Sequence, residues 1–218
     1  MTRRVDARWF EPPWSRHAAP GGSVTPEHVH RELCRRLGGP DRRFHNLNHV
    51  EDCLHRFDEV ASLLTDPDAV EIAIWFHDAI YVPSDMENER LSAELFLAQS
   101  KEAEPGFRRR VCGLILSTRH QRPARSHDRR FIEDIDLAGF AASWDEFMRH
   151  GALLREEFAA QSDEEYRVGQ LNFLQRLAQR RWFFSTDYYR ERHETRAREN
   201  LDRLLAMLVT PGSGLAAR

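Results

Sequence analysis

Lysine is almost absent from this chain of 218 residues, because Lys101 is the only lysine among its 32 basic residues. Arginine carries the rest of the positive charge, and the acidic residues outweigh it to give a formal net charge of −3. Arginine suits bidentate recognition of phosphate, but a chain with net negative charge is not expected to be a dedicated nucleic-acid-binding protein. We interpret the arginine bias as the composition of a GC-rich genome.

Cysteine and long apolar runs are also scarce. The three cysteines, Cys34, Cys53 and Cys112, form no C-x-x-C pair, so we expect reduced thiols and a cytoplasmic location. Unbroken apolar runs such as 72–76 are far short of the ~20 residues that a membrane span needs. No apolar stretch follows Met1 and its neighbours, so we expect no signal peptide and no membrane partner.

The length and the apolar pattern predict one all-α domain. A chain of this length can bury about 70% of its unfolded surface, and we expect a single domain over 1–218 with its core at about 25–205 and a frayed tail at about 210–218. Apolar residues recur with a helical period and no alternating strand is evident. The pattern predicts at least seven helices, with starts that include Thr25-Pro26, Asn48, Asp66-Pro67, Ser143 with Glu146, Asp163 and a last helix at about 187–209.

Polar residues interrupt segments that are otherwise apolar. His77-Asp78 ends the third predicted helix, which is apolar nearly all round and is therefore expected to be buried. His49 begins the helix before it, and Asp134 and Asp136 alternate with apolar residues farther along the chain. Buried imidazoles and carboxylates need a partner, and this combination suits one divalent transition ion: manganese, iron, cobalt, nickel or zinc.

The sequence motifs around these residues resemble those of a branch of the HD-domain superfamily of metal-dependent phosphohydrolases. The resemblance runs from about residue 25 to 205 in one order. It is carried by RRFHNLNHV at 42–50, AIWFHDAIY at 73–81, NERLSA at 88–93, ILSTRH at 115–120, FIEDIDL at 131–137, REEF at 155–158 and ETRARENL at 194–201. The segment 115–120 is one residue tighter than the family's spacing between its threonine and histidine. The resemblance implies a single helical HD-domain bundle.

The resemblance also implies a ligand set. The family's metal ligands fall on His49, His77, Asp78 and Asp136, with Asp134 as the alternate if the register of the Asp-x-Asp segment is misread. Asp78 would in addition accept a proton from the attacking water, as the family's aspartate is held to do.

Further residues are candidates for contacts with substrate or with a metal-bound water. His120 would be a phosphate ligand, a proton donor or a ligand to a second metal, or it would simply end a helix. Glu89 would orient a metal-bound water or cap a helix start. His45 is expected to contact the substrate or a metal ligand, and Arg42, Arg119 and Arg155 are candidate phosphate clamps. A zincin site is excluded at 45–49 because position 46 is Asn rather than Glu.

These observations predict a metal-dependent phosphohydrolase that cleaves a phosphate ester, with a small nucleotide or similar phosphomonoester as substrate. A different hypothesis is a metal-loaded HD scaffold that senses a nucleotide without turnover. A third, an RNA-binding module, is disfavoured by the net acidity and by the lack of an aromatic-basic motif.

Overall fold

The computed structural model describes residues 4–19 and 22–209, so the expected frayed tail lies outside the described residues. Within these ranges the chain forms helices and no β-strand, which confirms the all-α prediction. There are ten α-helices: α1 (Ala7–His17), α2 (Pro26–Leu37), α3 (Leu47–Val60), α4 (Pro67–Phe76), α5 (Asn88–Gln99), α6 (Pro105–Ile115), α7 (His127–Leu137), α8 (Trp144–Glu157), α9 (Asp163–Ala178) and α10 (Asp187–Val209). Short 3-10 helices lie at Ala61–Leu63, Leu116–Arg119 and Ala138–Ala141.

The contacts of the described residues form two compact units, one ending at Asp136 and the other beginning at Leu137. The first unit contains α1 to α6 and nearly all of α7. The second contains α8 to α10. The prediction of one domain over the whole chain stays a prediction.

Helix α4 is the centre of the first unit. Its start follows the sequence signal, because the side chain of Asp66 accepts a hydrogen bond from Ala69 N and Pro67 occupies the first helical position. Every residue from Ala69 to Phe76 is buried. The helix packs against α1, α3, α5 and α6, as a helix that is apolar all round requires. The prediction that this helix is among the most buried is confirmed.

Helix α1 was not predicted from the sequence. It contains Pro12 and Pro13, which normally disfavour a helix interior, but Asp6 caps its start by accepting from Arg8 N. Phe10 and Trp14 attach the helix to the core, because the ring of Phe10 packs edge-on against Trp75 at 5.5 Å. Packing of two large aromatic rings therefore outweighs the weak local propensity.

The start of α3 differs from the prediction by two residues. The expected cap was Asn48, but the side chain of Asn46 accepts the hydrogen bonds from Asn48 N and His49 N at 2.8 and 3.4 Å. Asn46 also donates to the carbonyl of Arg43 at 2.7 Å. This double use of the Asn46 amide fixes the first turn of α3, where His49 lies.

In the second unit, α10 packs along α9 and the 3-10 helix at Ala138–Ala141. Asn200 is buried and donates to the carbonyls of Phe140 and Ala142 at 2.7 and 3.0 Å. The amide therefore satisfies backbone oxygens that the short helix leaves open. None of the described helices has the length and apolarity that a membrane crossing demands.

Candidate metal centre

His77 lies at the C-terminal end of α4, directly after the buried apolar residues of that helix. The residue is only 3% exposed. Its ring Nδ1 lies 2.7 Å from the carbonyl oxygen of Ile74, so Nδ1–H donates to that oxygen. This hydrogen bond orients the ring and directs Nε2 away from the helix, which is the arrangement that metal-ligating histidines adopt.

The structure brings His49, His77, Asp78 and Asp136 together. His49 Nε2 lies 3.3 Å from His77 Nε2, 3.1 Å from Asp136 Oδ1 and 3.6 Å from Asp78 Oδ2. His77 Nε2 lies 3.0 Å from Asp78 Oδ2 and 3.5 Å from Asp136 Oδ1. Side chains from α3, α7 and the end of α4 therefore present two nitrogens and two oxygens to one point.

These separations suit an ion. With metal–ligand bonds of about 2.1 Å, neighbouring donor atoms lie about 3.0 Å apart in octahedral and about 3.4 Å apart in tetrahedral geometry. The five measured pairs span 3.0–3.6 Å. In addition, the buried Oδ2 of Asp78 makes no hydrogen bond in the described residues despite its approach to two imidazoles. A buried carboxylate oxygen needs a partner, and either a protonated His77 or a metal ion at this point supplies one.

Asp136 rather than Asp134 belongs to this group. Residues two apart on an α-helix point in directions about 200° apart, so only one of the two aspartates can face His49. Asp136 Oδ1 is the oxygen near both histidines, whereas Asp134 is 1% exposed elsewhere on α7.

The charges of the cluster support one another. Burial alone raises the pKa of Asp136, but hydrogen bonds from His120, His49 and His77 hold it well below its usual value. Burial likewise raises the pKa of Asp78, and the neighbouring His77 and His45 bring it below the ordinary range. For His77, burial lowers the pKa, and Asp78 and Asp136 raise it well above its usual value. Both carboxylates are thus ionised, and they stabilise a positive charge beside them.

Cys53 is a further donor that the sequence analysis placed only in an apolar stripe. Its thiol is buried one helical turn after His49, and Sγ lies 3.8 Å from His49 Nε2. Donor atoms of His49, Cys53, His77 and Asp136 all lie within 4.8 Å of one another. The four-residue spacing from His49 could have indicated this, because residues i and i+4 share a helix face.

His120 contacts the cluster through Asp136. The backbone of His120 is left-handed, with φ 52°, a conformation in which histidine is enriched among non-glycine residues. It follows the 3-10 helix at Leu116–Arg119 and turns the chain back towards α7. His120 Nε2–H donates to Asp136 Oδ2 at 2.7 Å, so each oxygen of Asp136 has its own partner.

Glu89 and Arg119 form a half-buried pair beside this group. Arg119 Nε lies 3.4 Å from Glu89 Oε2. Burial raises the pKa of Glu89, Arg119 lowers it, and the charge of Asp78 raises it. No side chain caps the start of α5, so the structure gives Glu89 no capping role. Arg119 Nε and Nη2 make no hydrogen bond in the described residues.

Two neighbours of Glu89 hold the loop after Asp78. The amide of Asn88 accepts from Val82 N at 2.8 Å and donates to Val82 O at 2.9 Å. Ser92 Oγ accepts from Ile80 N at 3.0 Å. The segment NERLSA thereby attaches the loop to α5.

Arg42 and His45 lie at the edge of the cluster. Arg42 donates to the carbonyls of His45, Asp78 and Ala79 at 3.0, 2.7 and 3.3 Å. It therefore supports the turn that carries Asp78, and a substrate contact stays a prediction. The ring of His45 stacks on Tyr81 at 4.0 Å, and the pKa of Asp78 is partly lowered by His45.

Arg155 belongs to the second unit. Its guanidinium donates to the carbonyls of Phe158 and Gln161 and to Asp163, at 2.7–3.1 Å. It also lies over the ring of Tyr166 at 5.1 Å. These contacts connect the end of α8 to the start of α9, and a role as a phosphate clamp stays a prediction.

Comparison with known proteins adds no relative. No protein-family model, curated protein or solved structure matches this chain significantly. The function of this chain must therefore be inferred from the geometry of the cluster and from the resemblance of its sequence motifs.

Proposed function

We propose that this chain is a metal-dependent phosphohydrolase of the HD-domain type, and that it cleaves a phosphate ester of a small nucleotide or a similar phosphomonoester. The supporting observation is the convergence of His49, His77, Asp78 and Asp136, with donor atoms 3.0–3.6 Å apart. These four residues would hold one ion of manganese, iron, cobalt, nickel or zinc.

When bound, such an ion lowers the pKa of a coordinated water and polarises a phosphoryl oxygen. The protein residues divide the remaining tasks. Asp78 is ionised, as its lowered pKa indicates, and an ionised carboxylate would accept a proton from the attacking water. His120 keeps Asp136 oriented through its 2.7 Å hydrogen bond.

Recognition of the phosphate falls to Arg119 in this proposal. Its side chain is about a quarter exposed, although Nε and Nη2 are themselves buried, and its ion pairs in the described residues are at 3.4 Å with Glu89 and 3.9 Å with Glu87. It therefore retains donors for a phosphate, which arginine binds in a bidentate manner. Glu89 would then exchange its ion pair with Arg119 for a hydrogen bond to a coordinated water.

The test combines metal analysis with a substrate screen. Purified protein should retain close to one divalent ion per chain and should release phosphate from one class of nucleotide when manganese, cobalt or nickel is added. Asp78→Ala should lose both properties, and Asp85→Ala, an exposed carboxylate in the loop before α5, is the matched control.

Two results would redirect the proposal. Tight nucleotide binding with one ion per chain and no turnover would favour the sensor hypothesis. Absence of any bound ion after exposure to all five metals would remove the metal centre itself. A cytoplasmic location stays a prediction.

A further inference from the structure

The segment that leads into α7, residues 119–130, concentrates positive charge. It contains five arginines and a single acidic residue, Asp128, although the whole chain has a net charge of −3. The carboxylate of Asp128 is engaged outside the segment, because its two oxygens accept from Thr65 N and Asp66 N at 2.9 Å each. The positive charge of the segment is therefore not balanced from within it.

Two hydrogen bonds hold this segment along α7, beside the candidate centre. His120 Nε2–H donates to Asp136 Oδ2 at 2.7 Å, and Ala124 N donates to Glu133 Oε2 at 3.0 Å. The two acceptors are three residues apart on α7, which is about 4.5 Å along the helix axis. The residues between these two anchors therefore lie close to the candidate centre.

Two arginines of the segment, Arg122 and Arg125, are placed to bind a ligand there. Both are exposed, and neither has an ion pair within the part of the chain that the structure describes. Arg119, by contrast, is paired with Glu89 at 3.4 Å. Arg122 lies between the two anchors and Arg125 directly follows the second. Pro123 restricts the backbone of Arg122 to extended conformations, so both side chains project from a constrained loop.

We propose that Arg122 and Arg125 bind a second phosphate group of the substrate, so that the substrate carries two phosphates, either joined as a diphosphate or placed on separate hydroxyls. The inference rests on the proposed function, in which the metal ion and Arg119 hold the first phosphate. Arginine suits this task because its guanidinium forms bidentate, charge-assisted hydrogen bonds with phosphate. A divalent ion would be neutralised by Asp78 and Asp136, so Arg122 and Arg125 would supply two positive charges for the second phosphate.

The test compares probes with one and with two phosphates on the full chain loaded with Mn²⁺. Orthophosphate is matched with pyrophosphate, and glycerol 3-phosphate with glycerol 1,3-bisphosphate, at a buffered concentration of free Mn²⁺ so that chelation by the probes does not empty the centre. Rapid ultrafiltration should show at least about tenfold tighter binding of one two-phosphate probe, because a hydrogen bond to a charged group contributes about tenfold or more to a binding constant. The probe that shows the gain tells whether the two phosphates are joined or separate.

Two double variants separate these arginines from net charge. Arg122→Gln/Arg125→Gln should remove the gain from the second phosphate. Its affinity for orthophosphate should change by less than about threefold, because salt screens exposed charges from a phosphate held at the ion. Arg31→Gln/Arg149→Gln alters the net charge equally at exposed positions of α2 and α8 and should retain the gain. Thermal melts of both variants should match that of the unaltered chain, since all four side chains are exposed.

An equal gain in the unaltered chain and in Arg122→Gln/Arg125→Gln would overturn the inference, as would no gain from either two-phosphate probe. Tighter binding of a single-stranded oligothymidylate than of either probe, lost in the same variant, would also overturn it, because the segment would then recognise a nucleic acid. Failure of both Mn²⁺ and orthophosphate to bind would remove the proposed function together with this inference. Binding of both without a gain from a second phosphate would remove this inference alone.

Discussion

Replacement of His120 separates the tasks of holding a ligand and moving a proton. In His120→Ala, Asp136 Oδ2 loses the donor that lies 2.7 Å away, while all four predicted ligands stay in place. Loss of an outer hydrogen-bond partner costs about 10- to 100-fold in metal affinity, which corresponds to about 1.4–2.7 kcal/mol. Asp78→Ala removes a ligand itself and should cost more.

The assay measures metal per chain against free metal concentration, alongside the rate of phosphate release. With free metal at about 1,000 times the Kd of the unaltered protein, a variant with 10- to 100-fold weaker binding stays about 91–99% loaded. Any rate deficit of His120→Ala under that condition then reflects chemistry. A proton donor is worth about 10²–10⁴-fold in rate, so a deficit of that size would support this role, and a full rate would restrict His120 to positioning.

Two variants serve as controls. His120→Gln retains a side-chain donor and should recover part of the affinity for metal. His127→Ala removes an exposed histidine that bonds to the carbonyl of Leu63 and packs on the ring of Phe131, away from the cluster, and should bind metal normally. If His120→Ala binds metal as tightly as the unaltered protein, the reasoning about Asp136 is refuted. If it loses metal as fully as Asp78→Ala, His120 is itself a ligand.

Three further predictions concern single side chains. Asp136→Asn should abolish metal binding and Asp134→Asn should preserve it, as metal analysis would show; equal losses would contradict the assigned register. Arg42→Ala removes three hydrogen bonds to backbone carbonyls and should lower the free energy of unfolding in urea by about 1–3 kcal/mol, with less than half regained in Arg42→Lys; an unchanged midpoint would refute this role. Burial raises the pKa of Tyr166 to about 12, above an unfolded value of about 10. The stability linked to this group is therefore full below pH 10 and is lost as the pH rises to 12. Tyr166→Phe should flatten that part of the stability curve, and a slope equal to that of the unaltered protein would count against the assignment.

Local sequence signals predicted the helices that begin with conventional caps. Thr25-Pro26 and Asp66-Pro67 mark the starts of α2 and α4, because a side-chain acceptor followed by proline suits the first turn. Helix α1 was not predicted because its two internal prolines lower the local helix propensity. The helix is stabilised by the tertiary packing of Phe10 and Trp14. Such packing cannot be derived from a local window.

Some features of the candidate site could likewise be predicted from the sequence, and others depend on the fold. The sequence motifs indicated which histidines and aspartates could be metal ligands. The end of α4 places His77 and Asp78 beside His49 and Asp136. The sequence did not show that Arg42 is engaged with carbonyls near Asp78, since hydrogen bonds across 36 residues depend on the fold. Nor did it separate Cys53 from the apolar stripe of α3, because a buried thiol and an aliphatic side chain follow the same periodicity.

The candidate ligands are separated by up to 87 positions in the chain, from His49 to Asp136, so the set exists only when the first unit is folded. An ion that binds this set and not the unfolded chain is therefore also a folding ligand. At 100 times its Kd, such an ion adds about 2.7 kcal/mol to the free energy of unfolding. For a chain of this size, that raises the melting temperature by about 5–11 °C. Melting temperatures measured with each candidate ion at equal concentration would thus rank the ions by affinity before any substrate is identified.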